Sequence, residues 1–237
     1  MPWSYRIARI AGIDVRIHAT FLLLPLYFGF MEWRAEGPEA AAQSVFFILL
    51  LFLCVLLHEF GHALAGRRYG ILTPDITLLP IGGVARMVSI PDKPSQELVI
   101  ALAGPAVNGG IVAILAPVLI FTGGVFSGPA TETRLLLHNL VLVNTGLLAF
   151  NLIPAFPMDG GRVFRALLAM RWSWTRATII AARTGQGVAI LFGLAALWDQ
   201  NPLLLLVALF VFSGAQQEIA YARAREEWEN QIPNFRS

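Results

Sequence analysis

Long apolar runs fill most of this sequence and constrain its fold more than any other feature. One of them reads SVFFILLLFLCVLLHEFGHALAGRR from Ser44 to Arg68. Across the chain, 57% of residues are hydrophobic and 14% are charged, whereas a soluble domain has roughly 25% charged residues. No segment between the runs is long enough for a separate water-soluble core. The sequence therefore predicts one integral membrane domain over residues 1–237, with a charged tail over 221–237.

Six apolar segments are candidates for membrane-crossing helices. Crossing takes about 20 apolar residues, or fewer where flanking side chains reach back to the interface. The segments cover residues 19–31, 41–57, 98–122, 135–153, 184–198 and 202–215. Between the second and third lies GILTPDITLLPIGGVARMV, in which Pro, Gly and β-branched residues favour a hairpin. The predicted fold is an all-α polytopic membrane protein of about six transmembrane helices with a small membrane-associated β-hairpin.

Basic residues are distributed unequally between the two sides of these six segments. All 17 Arg and Lys residues except Arg34 and Arg134 fall on the side that holds both termini. The positive-inside rule makes that side cytoplasmic. We therefore expect a multi-pass protein of the cell membrane, surrounded by lipid bilayer, with both termini in the cytoplasm. The net charge is only +2 and the basic residues are dispersed, which argues against a nucleic-acid partner.

The second apolar segment ends in the motif HEFGH, which contains His58, Glu59 and His62. Two imidazoles four residues apart share one helix face and can bind one zinc ion, while the intervening glutamate reaches the bound water. Ionisable residues that continue an apolar run are costly in lipid unless they face a cavity and have a function. The motif predicts two ligands for one Zn²⁺ per chain and a catalytic base.

A catalytic zinc usually has three protein ligands, so one more is expected. The fourth segment returns to the cytoplasmic side at NLIPAFPMDGGR, where Pro154 and Pro157 break the helix. Irregular backbone at membrane depth is tolerated only where it is buried in protein or lines a cavity. Asp159 on this irregular chain is the expected third ligand. The alternative is that Asp159 serves only as a turn or helix-capping residue.

The segment HEFGH on an apolar helix, followed later by NLIPAFPMDGG, resembles the site-2 protease family of intramembrane zinc metalloproteases. The resemblance also includes ITLLPIGGVARM and AGPAVN, covers roughly residues 13–220, and is to the compact branch without a PDZ domain. It implies zinc bound by His58, His62 and Asp159, with Glu59 as the base. It also implies substrates that are membrane proteins, cut in or next to their transmembrane segments. The position of the motif at the cytoplasmic end of the second segment predicts an active site toward the cytoplasmic side.

Proteins of this compact branch often continue into a soluble pair of CBS domains. This chain stops shortly after its charged tail. We therefore expect either a minimal member or part of a longer protein with a regulatory soluble domain.

Four further polar residues are candidates for the site. Asn108 lies among small residues that permit close helix packing, and it could orient substrate or stabilise an oxyanion, or make a structural hydrogen bond between helices. The same alternatives apply to Asn144 and Asn151, which lie two turns apart on one helix face. His18, beside the first segment, could act as a gate or a fourth ligand, or have a structural role.

The hairpin around residues 75–87 is predicted to hold the substrate. A peptide bond within a helix must be unwound before it can be attacked, and an exposed strand edge would replace the lost backbone hydrogen bonds. Strand-forming residues and glycines provide such an edge, although an ordinary connecting loop is the alternative. The candidate substrate-binding residues are Ile76, Leu78, Gly82 and Gly83.

Two other classes of function are considered beside the protease. A membrane metal transporter would need ionisable residues along a route through several helices, but the third, fifth and sixth segments contain almost none. A non-catalytic scaffold that binds membrane helices would not need Glu59. The complete motif in its apolar context favours the protease.

Overall fold

The computed structural model describes residues 3–91, 93–122 and 131–231. Contacts within the chain cluster into two compact units. The first unit comprises Met1–Pro91 with Ala103–Leu148, and the second comprises Asp92–Leu102 with Ala149–Ser237.

Helices make up most of the described residues. They are α1 (Leu23–Glu36), α2 (Pro38–Arg67), α3 (Pro94–Phe121), α4 (Glu132–Asn151), α5 (Asp159–Ala169), α6 (Trp174–Trp198) and α7 (Pro202–Gln231). Five of them, α2, α3, α4, α6 and α7, are long and apolar enough to cross a membrane. These five coincide with the second to sixth predicted segments.

The first predicted segment, residues 19–31, has a different structure from the other five. It forms a 3₁₀ turn at Ala19–Leu22 and the beginning of α1, which has 14 residues. At 1.5 Å per residue α1 is about 21 Å long, whereas the hydrocarbon layer is about 30 Å thick. An apolar run therefore predicted a helix correctly here, but that helix is shorter than a bilayer crossing.

The first unit contains a four-stranded sheet in the order β1-β2-β3-β4. The strands are β1 (Ser4–Ile10), β2 (Ile13–His18), β3 (Asp75–Leu79) and β4 (Gly82–Arg86). Strands β2 and β3 are parallel, and the two outer pairs are antiparallel. Buried residues of β2 and β3 pack against Phe60 and Ala63 of α2. The sheet therefore lies against the part of α2 that contains HEFGH.

The hairpin predicted between the second and third segments is present as β3 and β4, but the two N-terminal strands were not predicted. Polar and apolar residues roughly alternate in SYRIARI and IDVRIH, as they do in half-buried strands. The Ala11–Gly12 link between them has positive φ angles of 50° and 80°, as two-residue hairpin turns require. Apolar run length did not detect these strands because they are too polar and too short.

The core of the second unit is built from small residues. Ala181 and Ala182 of α6, Ala215 of α7 and Phe156 form one buried cluster. A Cβ atom at Gly185 would lie 3.1 Å from the backbone nitrogen of Phe156. Small side chains therefore let the helices approach the loop before α5 closely, as is common in membrane proteins.

A buried ion pair connects three helices of the second unit. Arg165 of α5 pairs with Glu97 of α3 and, at 2.9 Å, with Glu218 of α7. The side chains of Arg165 and Glu97 are each only 5% exposed. The guanidinium also lies 5.0 Å from the ring centroids of Phe156 and Trp174. The sequence places Arg165 among the basic residues expected on the cytoplasmic side, whereas the structure shows it buried and neutralised, where it ties α5 to its neighbours.

We expect Glu97→Leu to destabilise the protein by about 3 kcal/mol, because breaking a buried pair leaves a charge in an apolar interior. The lower end of the usual range is expected because Glu218 remains beside Arg165. Glu39→Leu, at an exposed position in the first turn of α2, should change stability by no more than about 0.5 kcal/mol. Unfolding in detergent micelles measures both, and equal stability of the two variants would contradict the role given to the pair.

Candidate active site

The HEFGH motif lies in the last three turns of α2, which ends at Arg67. The side chains of His58 and His62 are buried, with 6% and 4% of their surface exposed. Their Nε2 atoms lie 3.0 Å apart, and their rings meet edge to face with centroids 4.7 Å apart. The i, i+4 spacing therefore brings two imidazole nitrogens to one point, as predicted from the sequence.

The geometry of these two nitrogens suits a shared cation. Two ligands bound to zinc at 2.0–2.1 Å with tetrahedral angles are separated by about 3.3 Å, close to the observed 3.0 Å. Facing lone pairs at this distance repel each other unless a proton or a cation lies between them. The donor set of the motif is thus appropriate for a metal ion.

Glycines on α2 and α3 allow the two helices to pack closely at the motif. A Cβ atom on Gly61 would lie 2.6 Å from the carbonyl oxygen of Ala103, and one on Gly104 would overlap both imidazoles. The backbone of α3 therefore contacts the His58 and His62 rings directly. The small residues around Asn108 are evident in the sequence, but Gly104 was not predicted to belong to the site. In the sequence, the feature that could have indicated a role for Gly104 is its position next to Pro105 in an apolar segment.

Asn108 and Asn144 are fully buried and hydrogen-bonded to each other. Asn108 Oδ1 lies 2.5 Å from His58 Nδ1, and Asn108 Nδ2 donates to Asn144 Oδ1 at 2.9 Å. Asn144 Nδ2 in turn donates to the carbonyl oxygen of Leu140 at 2.8 Å. Of the alternatives considered from the sequence, the structure shows the interhelical hydrogen bond for both residues. Asn151 is half-buried and ends α4, in the second unit.

The side chain of Glu59 lies under the hairpin strand β4. A Cβ atom on Gly83 would lie 2.6 Å from Glu59 Cγ and 3.3 Å from its Oε1. Only glycine leaves room for this contact, so the backbone of β4 lies directly against the carboxylate-bearing side chain. Gly82 has a φ of 136°, a conformation that side chains rarely adopt. Both glycines singled out from the sequence therefore have a structural requirement.

The open edge of the hairpin is β4, not β3. Ile76 and Leu78 lie on β3, which is paired with β2 on one side and β4 on the other. Both residues are buried, with 0% and 5% exposure. Their backbone groups cannot accept another strand, which corrects the expectation that they form the substrate-binding edge. Among the described residues, no strand pairs with the outer edge of β4.

His18 has a local contact at the beginning of the 3₁₀ turn. Its Nδ1 lies 2.7 Å from Thr20 Oγ1 and accepts from the Thr20 backbone N–H at 3.4 Å. The structure therefore shows His18 as an N-cap. The roles of gate and fourth ligand stay predictions.

Asp159 is buried and is the first residue of α5, in the second unit. The N-cap of α5 is Met158, and Asp159 follows it in the first turn of the helix. A Cβ atom on Gly160 would overlap the carbonyl oxygen of Ile153, and one on Gly161 would lie 2.7 Å from the backbone nitrogen of Phe156, which explains why two glycines follow the aspartate. His58 and His62 of the first unit and Asp159 of the second are all buried, and the role of Asp159 as the third ligand stays a prediction.

These features define a helical membrane protein with a buried HExxH centre, and comparison with known proteins identifies its family. The family model described as Peptidase family M50 matches residues 46–135 and 127–194. The chain therefore belongs to Peptidase family M50. A site-2 protease from Methanocaldococcus jannaschii has a similar structure, with a TM-score of 0.65 and 39% identity, over 92% of this chain and 95% of that chain.

Curated relatives are similar over only part of their length. A zinc metalloprotease of Methanocaldococcus jannaschii is 40% identical over 221 residues, which are 92% of this chain and 61% of the relative. Stage IV sporulation protein FB of Bacillus subtilis is 25% identical over 166 residues, 70% of this chain and 55% of that protein. The chain thus spans about three-fifths of the curated relatives it matches.

We expect Gly104→Ala to weaken zinc binding at least tenfold, because the new methyl group would displace both imidazoles; changes beside metal ligands typically cost 10- to 100-fold in affinity. Gly110→Ala on the same helix is the matched control, since a Cβ atom there meets nothing within 4 Å. Competition with a chelator of known affinity measures both. Unchanged affinity in Gly104→Ala would show that the imidazoles do not depend on this contact.

Proposed function

We propose that this chain is a zinc metalloendopeptidase that hydrolyses peptide bonds in or next to transmembrane segments of membrane proteins. The observation that supports it most strongly is the 3.0 Å distance between the Nε2 atoms of His58 and His62. In the sequence, Glu59 lies between these two histidines. Membership of a peptidase family agrees with this function. Neither a transporter nor a scaffold requires a glutamate between two ligands.

In this proposal His58, His62 and Asp159 hold one Zn²⁺, and Glu59 is the catalytic base. Two imidazoles and a carboxylate are a ligand set typical of catalytic zinc sites, which leave one position open. Bound zinc would activate water and polarise the scissile carbonyl. The Glu59 carboxylate takes a proton from the attacking water and delivers it to the leaving amine.

The substrate in this proposal is a membrane protein that lies along the outer edge of β4. An unwound segment exposes backbone N–H and C=O groups, each of which costs several kcal/mol in a dry environment. Pairing with β4 would satisfy them and tolerate varied side chains. Gly83 brings this strand against Glu59, so a strand paired with β4 would lie close to the base.

The placement in the cell follows from the charge pattern. The five apolar helices are suited to an integral membrane protein, and the basic residues favour a cytoplasmic location for both termini and for the site. Tags at the two ends that are accessible only from the cytoplasm would agree with this. A regulatory soluble domain elsewhere in a longer protein is part of the same proposal, since the chain matches only part of its relatives.

Glu59→Gln and Asp159→Ala should have different effects. Glu59→Gln should abolish cleavage while zinc stays bound, because an amide cannot act as a base but both imidazoles remain. Asp159→Ala should lower zinc occupancy as well as activity, because it removes a ligand. Cleavage of a reporter with one transmembrane helix and metal analysis of the purified variants measure both. Undiminished cleavage by Glu59→Gln would refute the proposed mechanism, and full occupancy with activity in Asp159→Ala would exclude Asp159 as the ligand.

Proline substitutions at Val84 and Ala85 should show whether the edge of β4 holds the substrate. Successive N–H groups of an edge strand point alternately inward and outward, so only one of the two prolines removes a bond to β3. The other variant should stay folded and bind zinc, yet lose at least tenfold in cleavage of a helical reporter, since an unmade backbone bond costs about 1–3 kcal/mol.

Each proline variant is the control for the other. The thermal stability of both is measured, and the more stable variant is the one that keeps its backbone hydrogen bonds to β3. A reporter already weakened by helix-breaking residues should not restore cleavage. Normal cleavage of both reporters by the stable variant would show that β4 is an ordinary connecting strand.

A further inference from the structure

We propose that Asn144 and Asn108 form a hydrogen-bond relay that fixes the tautomer of His58, so that its Nε2 always presents a lone pair to the metal. This inference rests on the proposed function, in which His58 is a zinc ligand. Asn108 and Asn144 are positioning residues in it, since they act on the metal through His58.

The relay begins at a backbone carbonyl of α4. Leu140 C=O can only accept a hydrogen bond, and the Asn144 side chain lies 2.8 Å from it. Asn144 must therefore direct its NH₂ group toward Leu140. The sulfur of Cys54, 3.3 Å from the same nitrogen, is a weak acceptor for the second hydrogen. The orientation of the Asn144 amide is thus set by its own helix.

The remaining bonds follow from this first orientation. With its NH₂ group used, Asn144 presents Oδ1 to Asn108, and Asn108 must turn its NH₂ group toward that oxygen at 2.9 Å. Asn108 Oδ1 is then the atom that faces His58 Nδ1, at 2.5 Å. An amide oxygen can only accept, so Nδ1 of His58 must carry the proton. A neutral imidazole protonated on Nδ1 has its lone pair on Nε2.

Burial prevents the relay from reversing. Asn108 and Asn144 are both 0% exposed and His58 is 6% exposed. Reversing either amide would bring two oxygens or two NH₂ groups together, and a buried polar group without a partner is costly. At an exposed position, water can replace a lost hydrogen-bond partner. Water cannot do so for the amides of Asn108 and Asn144, because both side chains are fully buried. One tautomer of His58 is therefore selected before any metal binds.

Zinc affinity in detergent provides the first test. Asn108→Leu should weaken zinc binding 10- to 100-fold, as loss of the partner of a ligating histidine does elsewhere, and Asn144→Leu should weaken it about tenfold by freeing the Asn108 amide. Thr145→Val is the matched control, because Thr145 also donates to a carbonyl of α4, at Val141, but is exposed and not linked to His58. Its affinity should be unchanged.

A double variant separates the relay from simple packing. In Asn108→Asp either carboxylate oxygen can accept the hydrogen bond from the Nδ1–H group, so no second residue is needed to orient the side chain. Adding Asn144→Leu to Asn108→Asp should therefore not weaken zinc binding. If Asn144→Leu weakens binding equally in both backgrounds, it acts through packing and the relay is refuted.

The tautomer itself can be measured on the zinc-free protein. With ¹⁵N-labelled histidine at alkaline pH, NMR should show His58 protonated on Nδ1, its signals being identified by their loss in His58→Gln. Asn108→Leu should shift His58 toward a mixture of tautomers. Protonation of wild-type His58 on Nε2 would overturn the proposal. This measurement needs neither zinc nor proteolysis, so an intact relay in a protein that cleaves nothing would count against the proposed function alone.

Discussion

The close approach of α2 and α3 is the contact on which the rest of the site depends. Gly61 and Gly104 lie where a methyl group would meet the neighbouring backbone or the two imidazoles. Between membrane helices there is little hydrophobic driving force, so association relies on tight packing and interhelical hydrogen bonds. The glycines provide the packing, and the Asn108 bond to His58 provides the hydrogen bond. Both become possible only when the two backbones are this close.

Each unit contains buried polar side chains, and in each unit these side chains are paired with other polar groups. In the first unit neutral amides continue from His58 to a helix carbonyl, and each polar atom has a partner with defined polarity. In the second unit Arg165 is neutralised by Glu97 and Glu218. The amide chain orients the His58 imidazole without placing a charge beside it. The ion pair instead fixes α5, the helix that begins at Asp159.

Prediction from the sequence succeeded where the pattern is local and failed where partners are distant. Apolar run length located five helices because crossing a membrane sets a minimum length. It missed α5 because that helix is only 11 residues long and contains Asp159, Arg162 and Arg165. It also did not identify Arg165 as buried, because burial of an arginine depends on acids from other helices. The hairpin was found from its Pro and Gly residues, but not the strand that pairs with it.

By itself the sequence determined that His58 and His62 share one face of a helix, because residues four positions apart lie one above the other. It also determined that Glu59 is the residue next to the first histidine. It also determined that the chain is a membrane protein, because its apolar content exceeds what a soluble core can bury. Only the tertiary structure decided that, among the described strands, β4 rather than β3 has the free edge, since the N-terminal strand β2 pairs with the other side of β3. Only the tertiary structure gave His58 Nδ1 its partner, 50 residues away. The direction of that hydrogen bond is set by a carbonyl on a third helix, through contacts that exist only after the helices have packed.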